Sequence, residues 1–487
     1  MSPSDPKRTL FSPGQFDYPA SYTLGSLEDS AGHEQRRTVS MTIPSIAIVG
    51  AGASGTLLAL QLSRKVPAGT RIVLIERNAQ FGVGLAYSTQ NPNHLVNIPN
   101  GRMSAFDDQP NHFVDWMQRQ SPHILDGAPA AGSAFAPRRV YGAYLRDLLI
   151  AVKPAPKILH EEVVSIEVRG GLSRLRCASG RVLPASLVVF ATGNDRPATP
   201  DAPGLKEAPF WRPDSWRMDA FATLDPGLPV LLIGTGPTAV DAVITLLDQG
   251  HVGLIYTVSR RGLLSRSHGP SVVMPIQLPL HAGLGELTRF VRQEADASGG
   301  NWRGVIDAVF PFLQDIWRSL SLAERQRFLR HLRPWWDVHR QRMPEKVAAR
   351  IDAACTSGQL HILAGRITQC ESNAVWLRLR GGRDTRLEVG RVVNCSGPCT
   401  DPARSDDPLT QAILRDGLAR PDECRLGLDV TRAGALLSRP GTVSRSLFAL
   451  GPPTRGAFWD ITAIPVIRRQ SEVLAQHLAD LMREHAD

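Results

Sequence analysis

Five residues, Ser45-Ile46-Ala47-Ile48-Val49, run without a break into Gly50-Ala51-Gly52-Ala53-Ser54-Gly55. No other stretch restricts the fold as much. The first five suit a strand buried on both faces. The glycines have G-x-G-x-x-G spacing. Leu57, Leu58, Leu60 and Leu62 follow among small residues and read as a helix. Residues 71–76 then read as a second buried strand that ends in an acid, Glu76, 21 residues beyond Gly55. Strand, glycine turn, helix and acid at this distance define a β-α-β dinucleotide-binding unit. Gly50 permits the tight turn, and Gly52 lets backbone approach a pyrophosphate. Gly55 lets the helix pack close to the sheet. The helix start around Ser54 offers N–H groups to the anion. Glu76 is placed to accept hydrogen bonds from a ribose.

The same logic returns later in the chain. Residues 228–233 are apolar and lead into Gly234-Thr235-Gly236-Pro237-Thr238-Ala239, a G-x-G-x-x-A turn. A helical pattern runs through Asp241, Ile244 and Leu247. The next strand, 254–258, leads into Ser259-Arg260-Arg261. An arginine stands where the first unit has its acid. An acid there would repel a ribose 2′-phosphate, whereas Arg260 can grip it, so this second site favours NADPH over NADH. The chain therefore reads as α/β, with two Rossmann-like dinucleotide-binding domains.

Other segments are arranged around these two. Residues 1–41 are polar, lack periodicity and read as a disordered extension, with Met41 as an alternative start. Strands are expected at 162–168, 173–177 and 186–191, the last closing on Ala191-Thr192-Gly193 beside the first turn. The long loop around Asn97 and Met103 has no evident packing duty, which points both residues toward a cofactor. Asp107-Asp108-Gln109-Pro110 reads as a helix start, and Phe113, Trp116 and Met117 beyond it read as core. Residues 280–354 read as a helical insertion rich in tryptophan. The strand ending in Asn394-Cys395-Ser396-Gly397 is expected to return the chain to the first domain. A last strand leads into Gly451, and Asp460–Pro465 opens a C-terminal helix whose positive end, near Thr462, attracts an anion. The expected limits are 42–224 with 390–487 for the first domain and 225–389 for the second.

Composition narrows the class. The chain has 487 residues, a net charge of +9 and arginine spread throughout, with no clustered basic tract for nucleic acid. No apolar run is long enough for a membrane span, and no secretory h-region is present. None of the six cysteines forms C-x-x-C, and no Cys/His cluster has zinc spacing. Scattered thiols suggest a cytoplasmic protein.

Several internal words carry a resemblance: the turn at Gly50, Leu95-Val96-Asn97-Ile98-Pro99, Arg102-Met103-Ser104-Ala105-Phe106 and His112-Phe113-Val114-Asp115-Trp116. Trp336-Asp337-Val338-His339-Arg340 and Phe458-Trp459 add to them. From about residue 43 onward the chain resembles the bacterial FAD/NAD(P)-binding oxidoreductases, among the two-dinucleotide-binding flavoproteins. The resemblance implies FAD on the first unit and NADPH or NADH on the second. It implies an NAD(P)H-consuming monooxygenase that uses O2 to hydroxylate a small polar or anionic substrate, with urate as the specific expectation. Amino-acid N-hydroxylation is the alternative, followed by a non-oxygenating reductase and a flavin-bound regulatory protein. The missing C-x-x-C argues against a disulfide reductase. Arg455 is the candidate for an anionic substrate or a nicotinamide phosphate. His268, His339 and Asp460 are candidate acid–base groups, each reading as structural ahead of catalytic.

Overall fold

The computed structural model describes residues 44–125, 130–217 and 219–484; the extension at 1–41 lies outside them. Residues 43–487 cluster as one compact unit. It contains two large sheets. The first runs, in spatial order, Ala435–Leu437, Val443–Ala449, Leu187–Phe190, Ser45–Val49, Arg71–Glu76 and Lys157–His160. All neighbours are parallel except the outermost pair, Ala435–Leu437 with Val443–Ala449. A three-stranded antiparallel sheet, Val163–Arg169, Leu172–Cys177 and Val182–Ala185, is attached to this half.

Alternation explains why Ile46–Val49 is apolar throughout. Ile46 and Ile48 pack with Leu58 and Leu62 of the first phosphate helix, Ala53–Lys65, and with Leu474 and Leu478 of the C-terminal helix, Ile464–Glu484. Ala47 and Val49 face the opposite core, which holds Phe113, Trp116, Met117, Tyr141 and Tyr144. Successive residues point to opposite faces, so a central strand covered on both sides has no position for a polar side chain.

The second sheet runs Asp384–Glu388, Ala374–Leu379, Leu360–Glu371, Ile255–Ser259, Val230–Ile233, Arg391–Asn394 and Trp211–Arg212. Arg391–Asn394 therefore does not return the chain to the first domain. It pairs in parallel with Val230–Ile233. In the second unit it takes the place that Leu187–Phe190 takes in the first. Trp211–Arg212 joins it at the edge, so the expected limits at 224/225 and 389/390 fall inside the second sheet's strand set. The helical insertion is also shorter than the sequence suggests. It spans the helices from Leu284–Ala297 to Arg333–Arg340. Glu345–Thr356 packs on the second phosphate helix, Pro237–Asp248, and leads into Leu360–Glu371. It is the crossover helix of the dinucleotide unit, amphipathic like the insertion helices and so indistinguishable from them by pattern. Pro110 precedes the helix His112–Gln120 instead of sitting in its first turn, and Asn111 is the N-cap residue.

The two units are joined by polar contacts behind the second glycine turn. Arg138 Nη1 meets Asp241 Oδ2 at 2.6 Å, with side chains only 14% and 12% exposed. Arg138 Nε also donates to Leu95 O. The His94 ring shares one nitrogen between Asp241 O and Thr245 Oγ1, at 3.0 and 2.9 Å. Its other nitrogen contacts Thr89 Oγ1 at 2.8 Å. His94 is thus an interface residue. The Asn91 and Asn93 amides both donate to Asp248. Removing one partner of a mostly buried ion pair strands the other charge and costs about 3 kcal/mol or more. Asp241→Ala is expected to lower the urea midpoint accordingly, and Arg138→Met in the same chain to recover most of the loss; additive losses in the double variant would show that the two groups act independently.

Candidate functional site

Gly50 has φ +105°, and a Cβ there would lie 2.4 Å from Ala191 O. Only glycine fits where the turn meets the end of Leu187–Phe190. At Gly55 a Cβ would lie 1.9 Å from Gly50 O, so the helix rests directly on the turn. Gly52 faces Gly84, and a side chain on either would push two backbones apart. The first phosphate helix has no side-chain cap and no acid in its first turn, which keeps its positive end available. Glu76, 9% exposed, is held in place: Oε2 accepts from Ala51 N, and Oε1 accepts from Asn78 N and Nδ2, each at 2.9 Å. A groove along the strand ends is lined by Arg77, Thr192, Gly193, Asn194, Pro453 and Arg455. Open parallel sheets bind nucleotides in such a crevice.

Gly451, φ +74°, closes against Ser54, whose Oγ lies 2.4 Å from the position of a Cβ. The turn it begins is pinned by Gln470. Gln470 Oε1 accepts from Gly451 N, and its Nε2 donates to Thr454 Oγ1, which donates to Gly451 O. Sequence reading missed Gln470. The available signal was its position on the buried helix face between Ile467 and Leu474. Thr462 lies just before the C-terminal helix, two residues after Asp460, which adopts φ +60°. That conformation is uncommon outside glycine and marks a constrained turn.

The second turn repeats the first. Gly234 has φ +119°, and a Cβ there would lie 2.4 Å from Cys395 O. Gly236 has open space around it, and the helix behind it is uncapped with Pro237 in its first turn. Ala239 is buried in the second core, so its role is packing. Thr235 Oγ1 bonds Ser259 Oγ and Leu263 O. Arg260 is exposed beside this staple.

Both crevices fit a dinucleotide: donors at an uncapped helix end, backbone free to approach, and an acid or an arginine at the second strand. The Asn97 backbone carbonyl is held by His268 Nε2 at 3.1 Å. Met103 is 1% exposed and packs in the first core. It does not face a cofactor; the loop folds inward, where an unbranched side chain fills a gap.

A third region lies where the helical insertion crosses the turn 451–463. Trp317 stacks on Trp459, with ring centroids 4.8 Å apart, and donates to Gly456 O at 2.7 Å. Helix Arg333–Arg340 presents Arg333, Asp337 and Arg340 on one face at i, i+4 and i+7. Arg333 pairs with Asp337 at 3.3 Å, and Arg340 Nε lies 3.0 Å from Asp460 Oδ2. The second pair is in ionic contact but not aligned as a hydrogen bond. Trp336 Nε1, Trp459 Nε1, Gln314 Oε1 and Asp460 Oδ2 are all buried without a hydrogen-bond partner. Burial raises the pKa of both Asp337 and Asp460, and Asp460 adds to the effect on Asp337. Arg455 is half-buried and has a 3.5 Å contact with Asn194 Oδ1. Burial and then Arg333 press its pKa down to about 10.

Of the candidates His268, His339, Asp460 and Arg455, only Asp460 and Arg455 lie in this chamber. His339 contacts Trp335 O at 2.7 Å and sits edge-on to Trp302. His268 packs on Phe135. Sequence reading did not pair Arg340 with Asp460, which lie 120 residues apart.

Residues 47–195 match the family described as FAD-NAD(P)-binding. Residues 47–195 are an FAD/NAD(P)-binding domain, and the described chain has the fold of the two-dinucleotide-binding flavoproteins. Three solved structures illustrate the likeness. The ornithine hydroxylase of Pseudomonas aeruginosa in reduced form is 18% identical, with a TM-score of 0.65, over 90% of this chain and 100% of that one. The L-lysine 6-monooxygenase of Pseudomonas syringae is 16% identical, at 0.62, over 90% and 99%. The FAD-bound cadaverine monooxygenase of Erwinia amylovora is 13% identical, at 0.62, over 89% and 94%. No curated protein sequence matches. Among the described residues no helix is long and apolar enough to cross a membrane.

Two outcomes follow. Glu76→Ala is expected to weaken FAD binding about 10- to 100-fold, since hydrogen bonds to a charged group contribute about 1.5–3 kcal/mol; titration of flavin-free protein with FAD measures this. Burial lowers the His268 pKa to about 4. The unfolded imidazole binds its proton near pH 6.5, so stability falls as the pH drops from about 6.5 toward 4. On the order of 2 kcal/mol is at stake, allowing for partial solvation. His268→Gln should flatten that part of the urea-midpoint profile relative to wild type.

Proposed function

We propose that this chain is an FAD-dependent, NADPH-consuming monooxygenase that hydroxylates an amine nitrogen of a small polar substrate. One observation carries the cofactor assignment: two open glycine turns in one compact unit, the first followed by Glu76 and the second by Arg260. The first suits the adenosine end of FAD and the second a nicotinamide cofactor with a 2′-phosphate. The choice of nitrogen is favoured by the fold shared with the ornithine, lysine and cadaverine enzymes. Urate has only the sequence resemblance behind it, and the amine reading replaces it as the preferred one.

The balanced reaction is RNH2 + O2 + NADPH + H+ → RNHOH + NADP+ + H2O. When bound, FAD supplies the redox chemistry that links NADPH to O2. This chain's residues hold and shield the site. The first phosphate helix and Glu76 anchor one end of the flavin nucleotide, and Arg260 anchors the nicotinamide cofactor. The Trp317–Trp459 stack closes the turn 451–463 against water. His268, neutral at pH 7, donates its single N–H to the Asn97 carbonyl and steadies that backbone.

The test follows NADPH and NADH oxidation by FAD-loaded protein over a panel of amines, amino acids and urate, with O2 and hydroxylamine measured together. One hydroxylamine per NADPH supports the reading. Oxidation without an oxygenated product would make the protein a reductase, and no oxidation at all a flavin-bound regulatory protein. Arg260→Ala should raise the KM for NADPH about tenfold, the loss of one charge-assisted contact, and leave that for NADH unchanged.

A further inference from the structure

We infer that Arg455 is the anion anchor of the chamber between the helical insertion and the turn 451–463, and that it takes a carboxylate carried by the substrate. The inference rests on the monooxygenase reading for the word substrate, but the site itself is argued from charge and geometry.

Three guanidinium groups and two carboxylates meet here. Arg333 is taken by Asp337 and Arg340 by Asp460. Arg455 is left with a 3.5 Å contact to the neutral amide of Asn194 and, among the described residues, makes no ion pair. A half-buried cation on which Arg333 acts more strongly than the committed Asp460 and Asp337 favours an anion. Arg455 keeps partial exposure and lines the groove along the strand ends, at the border of the nucleotide crevice. The insertion adds the buried N–H donor of Trp336 and the turn adds that of Trp459, neither of which has an acceptor among the described residues. Buried donors without partners are rare in folded proteins and point to a group that arrives from outside. The one acceptor left open on a charged group, Asp460 Oδ2, already faces Arg340, so the chamber's surplus is positive.

A carboxylate fits this surplus bidentately on a guanidinium. A diamine, with two positive charges, meets a site whose only uncommitted charge has the same sign. A cofactor phosphate is the competing source of negative charge, and the experiment separates the two.

FAD-loaded protein is titrated calorimetrically with hexanoate, L-lysine, cadaverine and NADP+. The expected result is that hexanoate and L-lysine each bind at least tenfold more tightly than cadaverine. Arg455→Gln should remove that preference and Arg455→Lys should keep part of it, with FAD and NADP+ affinity measured alongside; a loss of FAD in place of carboxylate affinity would assign Arg455 to a cofactor phosphate and overturn the inference. Cadaverine binding as tightly as L-lysine, or no binding of either carboxylate, overturns the inference in the wild-type protein alone. So does an Arg455→Gln variant that keeps the preference, or one that loses NADP+ affinity in place of carboxylate affinity. The hydroxylase reading fails separately, through the hydroxylamine assay: a protein that prefers carboxylates yet forms no hydroxylamine keeps the anchor and loses the reaction.

Discussion

A carbonyl oxygen occupies the space of a missing side chain at each of two glycines. Ala191 O lies against Gly50, and Cys395 O against Gly234. In each unit this contact brings the end of a neighbouring strand onto the phosphate turn, and the crevice exists because the two backbones meet there. Any side chain at either position would part them and open the sheet. The rest of the molecule is built outward from these two contacts: two sheets with parallel centres and one antiparallel edge each, two uncapped helices, and loops gathered at the strand ends.

The repetition also explains a difference between chain order and space. Asn394-Cys395-Ser396-Gly397 looks like a return to the first domain because its pattern matches Phe190-Ala191-Thr192-Gly193. The match is real but functional: each segment is the strand that presses a carbonyl on its own glycine turn. Sequence similarity identified the job and could not say for which sheet it was done. Only strand pairing with Val230–Ile233 decides that.

The chamber is the least repetitive part of the molecule and has the most unsatisfied polar atoms. Its walls come from the helical insertion of the second unit and the last turn of the first. Trp317, Trp459 and Phe328 form an apolar layer around paired charges, and a low dielectric there strengthens whatever charges remain. The same low dielectric raises the Asp337 and Asp460 pKa values and lowers that of Arg455. Functional sites gather perturbed groups of this kind.

Local rules made the two dinucleotide units legible. Glycine spacing, apolar runs and the acid or arginine at the second strand depend on a few adjacent residues and on backbone sterics, which operate over short distances. The sequence alone therefore determined the number of units, their strand–turn–helix order and the contrast between Glu76 and Arg260. It could not determine that Met103 packs inward, that Gln470 pins Gly451, or that His94 joins Asp241 across the interface. Nor could it pair Arg340 with Asp460 or leave Arg455 uncommitted. Those outcomes depend on residues that are tens to hundreds of positions apart and become neighbours only when the sheets close. Burial and charge balance, the quantities that give such residues their chemistry, are properties of the packed molecule.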